Sequence, residues 1–491
     1  MMNSNSIILP RQLRLATIVF LFSLGLVASP ARAGVTLTTL ISFAGTNGDT
    51  PMGTLVQSAD GSFYGVTQSG GISNAGIVFK LTADGTLTTL VSFAKTNGAL
   101  PHAGLVQGSD GDFYGTTSFG GAFGGASGNG TVFKITPGGL LTTLVSFNGM
   151  NGASPAAELV EGADGKFYGT TSDGGLYTNQ FLGIGYGTIF RMTPAGALTT
   201  LISFNGTNGG APEAPLTIGA DGNFYGNTRL QVGGLATNIF GQGPGTFFSL
   251  TPDGTLTTQL SFDGTNSGSS LFGLVPAADG AFYEMCDGEG TNLDSHSFPL
   301  GMILRLKPGA APTTLHAFDG TDGGLPRGLM RATDGNFYGM TGFGGPGYAG
   351  YLLTTESQSQ GTVFKMTPDG TLSTLVVFTN GEIPFGGLLQ ASDGNLYGTT
   401  RGGGTYGHGT VFRLSVPMPP ALRSLTPTGG VLTANWSVVA GQTYQSQYCT
   451  DLSKTNWINL GASAPATNGT MTVSDVVGPD PQRFYRLALL P

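Results

Sequence analysis

The sequence predicts an all-β chain, a seven-bladed β-propeller followed by a small β-sandwich, and three observations carry that expectation. The motif Asp-Gly-x-Phe-Tyr-Gly, or a close variant, recurs at Asp60, Asp110, Asp164, Asp221, Asp279, Asp334 and Asp393, at spacings of 50, 54, 57, 58, 55 and 59 residues. Glycine supplies 84 of 491 residues and charged residues only 10%, against a usual ~25%. With 39% hydrophobic and 10% aromatic residues, those glycines must punctuate a packed, turn-rich fold rather than a linker. Finally, the array starts and stops on complementary fragments of one unit. Val35 to Phe43 reads as a fourth strand with nothing before it, and Val411 to Leu414 as a third strand with nothing after it.

Each unit resolves into four strand signals. In the second copy, Leu105-Val106-Gln107 and Phe113 to Thr117 flank Ser109-Asp110-Gly111, while Val132 to Ile135 and Leu141 to Phe147 flank Thr136-Pro137-Gly138-Gly139. Asp-Gly and Pro-Gly joints between β-branched and aromatic runs are hairpin connections, because glycine supplies the positive φ of tight turns. A period near 50 exceeds that of a WD40 blade and approaches that of kelch. If Val35 to Phe43 completes the last sheet, seven blades close and no long edge strand is left open. Two departures stand out: Glu284 replaces the last glycine of the fifth motif, and Asn227 replaces the first threonine of the fourth.

The blocks Gly-Thr-Val-Phe-Lys-x-Thr-Pro-x-Gly, Leu-Thr-Thr-Leu-x-Ser-Phe and Asp-Gly-x-Phe-Tyr-Gly-Thr-Thr recur in that order through residues 35 to 414, and in this the chain resembles the bacterial GloVer tandem-repeat proteins. The resemblance implies an exported repeat protein with a variable C-terminal anchoring region. It brings no catalytic residues with it.

Residues 1–33 read as an export signal. Arg11 and Arg14 precede the apolar run Leu15 to Val27, Ala31-Arg32-Ala33 follows, and cleavage is expected before Gly34. The run is shorter than the roughly 20 residues that span a bilayer. A lipoprotein would need cysteine at the cleavage point, and the two cysteines are Cys286 and Cys449, too far apart for a disulfide framework. After the propeller at 34–414, Ser415 to Pro420 forms a stiff linker. Residues 421–491 hold both tryptophans, Trp436 and Trp457, among alternating strand signals, as expected of a small fibronectin type III-like sandwich. The mature protein is expected to be secreted or at the cell surface of a bacterium.

A net charge of -8 disfavours nucleic acid as a partner, and much of the acidity has a turn-forming role: seven aspartates sit in the Asp-Gly-x-Phe-Tyr turns and Asp84, Asp253 and Asp369 in Thr-x-Asp-Gly turns. His102, His296, His316 and His408 fall in no metal-spaced motif, there is no Gly-x-Ser-x-Gly elbow, and the glycine-rich loops carry no lysine, so no cofactor is called for. The exception is a crowded stretch in the fifth copy, where Glu284, Asp287, Glu289, Asp294 and His296 lie close in sequence; Asp287, Glu289 and Asp294 are the metal candidates, against the plainer reading of a solvated loop.

Comparing the copies separates the two faces of the disc. First-to-second and third-to-fourth turns are short and repetitive. Second-to-third connections vary, from Gln68–Ala75 in the first copy to Gly342–Gln360 in the sixth, and share a face with the inter-blade connections. That face holds the candidate ligand contacts Tyr177, Phe181, Tyr186, Tyr348, Tyr351 and Tyr406, with Phe119, Phe123, Phe240 and Phe343, joined by Arg229 and Arg401. Rings on glycine-rich loops can stack on sugars or bury against a protein; the plainer reading is that they plug the loops onto the disc. The functional expectation is an extracellular binding module for a glycan or protein. The alternative is a polysaccharide lyase or hydrolase that uses the fifth-copy acids with Arg229 or Arg401.

Overall fold

The computed structural model describes residues 17–18, 34–123, 128–178, 184–232, 242–262, 272–286, 300–346, 361–379, 382–451, 456–476 and 482–490. Every regular element among them is a strand, and none is a helix long and apolar enough to cross a membrane. The chain divides into two compact units. One comprises Thr38–Leu389 and Tyr397–Arg413; the other comprises Gln390–Leu396 and Leu414–Pro491, with the N-terminal residues as far as Leu37.

The repeats form a propeller-like series of sheets, seven of them four-stranded among the described residues. The second copy shows the pattern: Val106–Gln107, Phe113–Thr117, Thr131–Ile135 and Leu141–Ser146 pair antiparallel in chain order. The strand Thr36–Ser42 is the outer member of the sheet that holds Leu389–Gln390, Leu396–Thr400 and Thr410–Ser415. In all seven copies the motif aspartate accepts the backbone N–H two residues on, as at Asp110 and Asp112 (3.2 Å). In four of them it also accepts the tyrosine hydroxyl, at 2.7 Å from Tyr114 to Asp110.

The motif glycine has a packing reason. Gly115 pairs across the strand with Phe133, and a Cβ on it would lie 2.6 Å from the ring. The phenyl therefore lies over a bare backbone, as it does for Gly65 and Phe79, Gly169 and Phe190, Gly226 and Phe248, and Gly339 and Phe364. The fifth copy pairs Glu284 with Leu304 instead. The smaller leucine leaves room for the longer side chain.

Rings join one sheet to the next. The motif tyrosine packs on the next motif's phenylalanine: Tyr64 on Phe113 (4.0 Å), Tyr114 on Phe167 (4.0 Å), Tyr168 on Phe224 (4.1 Å), Tyr225 on Phe282 (4.5 Å) and Tyr283 on Phe337 (4.2 Å). The seventh copy repeats the contact on the first, with Tyr397 at 4.2 Å from Phe63. Such pairs contribute about 0.5–1.5 kcal/mol each beyond the area they bury.

In the second unit, Ala421–Thr428, Val431–Ser437 and Thr470–Val476 form one sheet. Thr443–Cys449 and Gln482–Leu489 are the long strands of another. Trp436, Tyr444 and Leu487 centre the core of this unit. Trp457 lies under the guanidinium of Arg486 at 4.2 Å. Gln390–Leu396 falls in this unit as well, and Ala440 N donates to Asp393 O (2.8 Å). Cys286 and Cys449 are both buried and form no disulfide.

Candidate functional site

The site begins with a strained turn. Thr50, Leu100, Ser154, Ala211 and Leu325 each precede a proline and have φ of 57, 53, 53, 50 and 49°. A non-glycine residue there costs on the order of 1 kcal/mol and persists only where its surroundings over-determine it. Here backbone bonds do so on both sides. Leu100 N donates to Ala75 O (3.0 Å) and Ser118 N to Leu100 O (3.2 Å); Thr50, Ser154 and Ala211 are held in the same way. The turn sets the aim of two positions that differ from copy to copy. In the first four copies the residue after the proline is Met52, His102, Ala156 or Glu213, and Phe385 holds this place in the seventh copy, where Ile383 has no positive φ; the residue bonded to the strained carbonyl is Gln68, Ser118, Ser172 or Arg229.

The post-proline residues line a cavity of about 450 Å3, together with the starts of the first strands of all seven copies. Its polar lining, Thr54, His102, Glu158, Ser172 and Glu213, comes from the first four copies. Phe272, Leu274, Leu329, Phe385 and Leu388 come from the last three. Glycine lets neighbouring first strands touch: a Cβ on Gly53 would lie 2.6 Å from Gly104 N, and one on Gly328 would strike Gly387 Cα.

The polar wall is ordered. Glu158 accepts Gly104 N at 3.1 Å, and burial pushes its carboxyl above the usual range, opposed by the bonds from Gly104 and Thr54. Gln68 Nε2 donates to His102 Nε2 (2.6 Å), and His102 Nδ1 meets Ser118 Oγ (3.2 Å), which in turn donates to Pro155 O (3.1 Å). Burial lowers the His102 pKa, so the imidazole is neutral. Glu213 at the wall takes an ion pair at 3.1 Å from exposed Arg229. On the other side Arg327 lies over Phe385 at 4.8 Å and Phe272 at 5.6 Å.

Of the residues singled out in the sequence, Tyr177 is 49% exposed and lines a shallow outer cleft with Met150 and Leu176. Tyr406 is 62% exposed. Tyr186, by contrast, packs on the core beside Phe204 and Phe248, and joins Tyr177 through its backbone, N to O at 3.3 Å. Arg229 and Arg401 occupy one repeat position: Arg229 N donates to Ala211 O, Arg401 N to Ile383 O. Phe181, Tyr348, Tyr351, Asp287, Glu289 and Asp294 lie outside the described residues.

Two expectations need correction. Phe343 is no loop ring: the strand Phe337–Phe343 runs on through it, Gly324 pairs with it, and it is buried. Glu284 joins no exposed acidic cluster but sits buried in the strand Phe282–Cys286, accepting the side-chain amide of Asn227. Burial pushes its carboxyl up to about 8. Among the described residues no group of three or more His, Cys, Asp or Glu side chains is placed to hold a metal. The cavity residues His102, Glu158, Glu213, Phe272 and Phe385 escaped the sequence reading. Their signal is the variability between the proline and the leucine of each first strand.

No curated protein matches the chain in sequence. Among solved structures, the surface component PorZ of the Porphyromonas gingivalis type-IX secretion system is 13% identical, with a TM-score of 0.44 over 91% of this chain and 58% of that one. A putative 6-phosphogluconolactonase from Bacteroides fragilis is 13% identical at 0.41, over 91% and 99%. A gluconolactonase from Xanthomonas campestris is 13% identical at 0.37, over 78% and 90%. The family model of the repeat matches residues 22–179, 122–353 and 241–441, and the chain is a member of the Gloeobacter/Verrucomicrobia repeat family.

Proposed function

We propose that the chain is an exported binding module: a closed seven-bladed propeller whose variable face takes an extracellular glycan or protein, followed by a fibronectin type III-like module at 421–491. The contact of Tyr397 with Phe63 supports closure of the ring. The observation that carries the binding reading is the cavity, because it is lined where the copies differ while the packing residues around it repeat. A scaffold that holds its core constant and varies one concave surface has the form of a recognition site. Tyr177, Arg229, Arg401 and Tyr406 are its outer contacts, joined by Phe181, Tyr348 and Tyr351. Residues 1–33 direct export, and the loop of Asp287, Glu289 and Asp294 remains the candidate for a cation.

Retention of the mature protein on bacterial cells and on immobilised polysaccharides tests the reading. Tyr177→Ala with Tyr406→Ala should weaken retention and leave melting unchanged, and retention equal to wild type counts against it. One feature favours the second reading, a polysaccharide lyase or hydrolase: Glu158 lines the cavity, and burial holds its carboxyl above the usual range, the direction that suits a general acid. Release of new reducing ends from a retained polysaccharide would establish that reading instead.

A further inference from the structure

The central cavity differs in chemistry from the exposed tyrosines around it. We propose that it takes one sugar unit, the terminal residue of a glycan, its apolar face toward Phe272 and Phe385 and its hydroxyls toward Glu158, Thr54, Ser172 and Glu213. This rests on the reading of the variable face as a glycan-binding surface.

The size and the lining select the ligand class. A volume of about 450 Å3 lies in the ~300–1,000 Å3 range of small-molecule sites. A phosphorylated or carboxylated ligand would meet two carboxylates on the polar wall, and like charges at close range repel. A purely apolar ligand would strip water from Glu158, Glu213 and His102 and return no hydrogen bond. A cation stacked on Phe272 and Phe385 would lie beside Arg327, already over both phenyl rings. A neutral polyol with one C–H face satisfies both walls. Its hydroxyls can donate to Glu158, whose carboxylate already accepts Gly104 N, and accept from or donate to Ser172 and Thr54.

The walls also explain why the unit is terminal. Gly53 approaches Gly104, Gly386 approaches Gly53, and Gly328 approaches Gly387, each so closely that a Cβ would collide with the neighbouring strand. At these three junctions among the described residues a linear chain has no lateral gap through which to leave, which favours end-on entry.

The repeat supplies its own control. Ala156 lines the cavity at the position that holds Phe385 in the seventh copy and Met52 in the first, so Ala156→Phe fills the space with a side chain this backbone already carries. An array of plant, algal and bacterial oligosaccharides identifies what wild type retains. Saturation-transfer NMR with free glucose, galactose, mannose and N-acetylglucosamine then reads the cavity alone. The expectation is transfer to at least one free sugar and loss of it in Ala156→Phe with unchanged melting. Glu158→Gln should weaken it roughly tenfold, and Tyr177→Ala with Tyr406→Ala should retain it. Array binding with no transfer to any free sugar, or transfer undiminished in Ala156→Phe, overturns the cavity assignment alone. A blank array overturns both it and the glycan reading.

Discussion

Asn227 donates its side-chain amide to Glu284, so the two core departures from the repeat, 57 residues apart and in neighbouring sheets, are partners. In the second and third copies the position of Asn227 is a threonine that reaches the next copy's backbone, as Thr116 Oγ1 does with Ala157 O at 3.2 Å. In the fourth copy the longer amide meets a carboxyl instead, and that carboxyl fits because Leu304 replaces the phenylalanine that would cover it. Three substitutions form one unit of packing.

The pair makes stability depend on pH. The Glu284 carboxyl is pushed up to about 8 in the fold, whereas an unfolded glutamate titrates near 4.3. The folded state then holds a proton that the unfolded state releases. The stabilisation is fully present below about 4.5 and falls as pH rises toward 8, by at most about 1.4 kcal/mol per pH unit. Thermal midpoints at pH 5 and pH 8 should separate less in Glu284→Gln than in wild type. Equal separations would mean that Glu284 is ionised in the fold.

The same packing predicts a coupling. Leu304→Phe alone forces a ring onto Glu284 and should destabilise by about 1–3 kcal/mol. Combined with Glu284→Gly it rebuilds the glycine and phenylalanine pair of the other copies, and the double variant should be more stable than the sum of the singles. A double-mutant cycle in urea measures this, and additivity would remove the argument from packing.

Asp334 should matter more than Asp60. It is almost wholly buried and accepts Asn336 N, Asn336 Nδ2, the Tyr338 hydroxyl and Lys365 Nζ. Burial works against its charge, yet Asn336 and Lys365 hold its pKa below the usual carboxylate value. Its stabilisation is present above that value and is lost as pH falls through it. Asp334→Ala should cost about 2–3 kcal/mol, and Asp60→Ala, at a side chain 52% exposed, under about 1 kcal/mol. Chemical denaturation at neutral pH ranks the two, and the reverse order contradicts the account.

The proposed ring closure depends on the first strand. Deleting residues 34–43 removes Thr36–Ser42 and the fully buried Phe43, which packs on Phe79 at 5.4 Å and bonds Gly409 through its backbone (2.9 Å). Loss of a buried phenylalanine alone is worth about 3–5 kcal/mol, so the truncated chain should lose its cooperative transition. A truncation that melts like the parent would argue for an open array.

The sheets were legible because each depends on residues with one local job: aspartate to accept in the turn, glycine to lie bare under a ring, tyrosine and phenylalanine to join neighbours. The cavity was not, because its residues share no type. His102, Glu158 and Glu213 look like scattered polar residues until the copies are aligned on the proline. Even then the sixth copy hides Arg327, since its first strand shifts register between Arg327 and Met330. Loop aromatics were legible only as candidates: Tyr177 and Tyr406 are exposed, Tyr186 and Phe343 pack inward, and sequence alone offered no rule to separate them.

The strained residue before each proline has an evolutionary consequence. Its backbone bonds fix the turn without using the side chain that follows, so Met52, His102, Ala156 and Glu213 are accommodated by one scaffold. Point mutation at that position can alter the chemistry of the cavity while foldability is conserved. Unequal crossing-over between copies would shuffle whole sets of such positions at once. A lineage carrying this repeat thus inherits a cavity whose lining can be diversified by the genetic process that makes tandem copies.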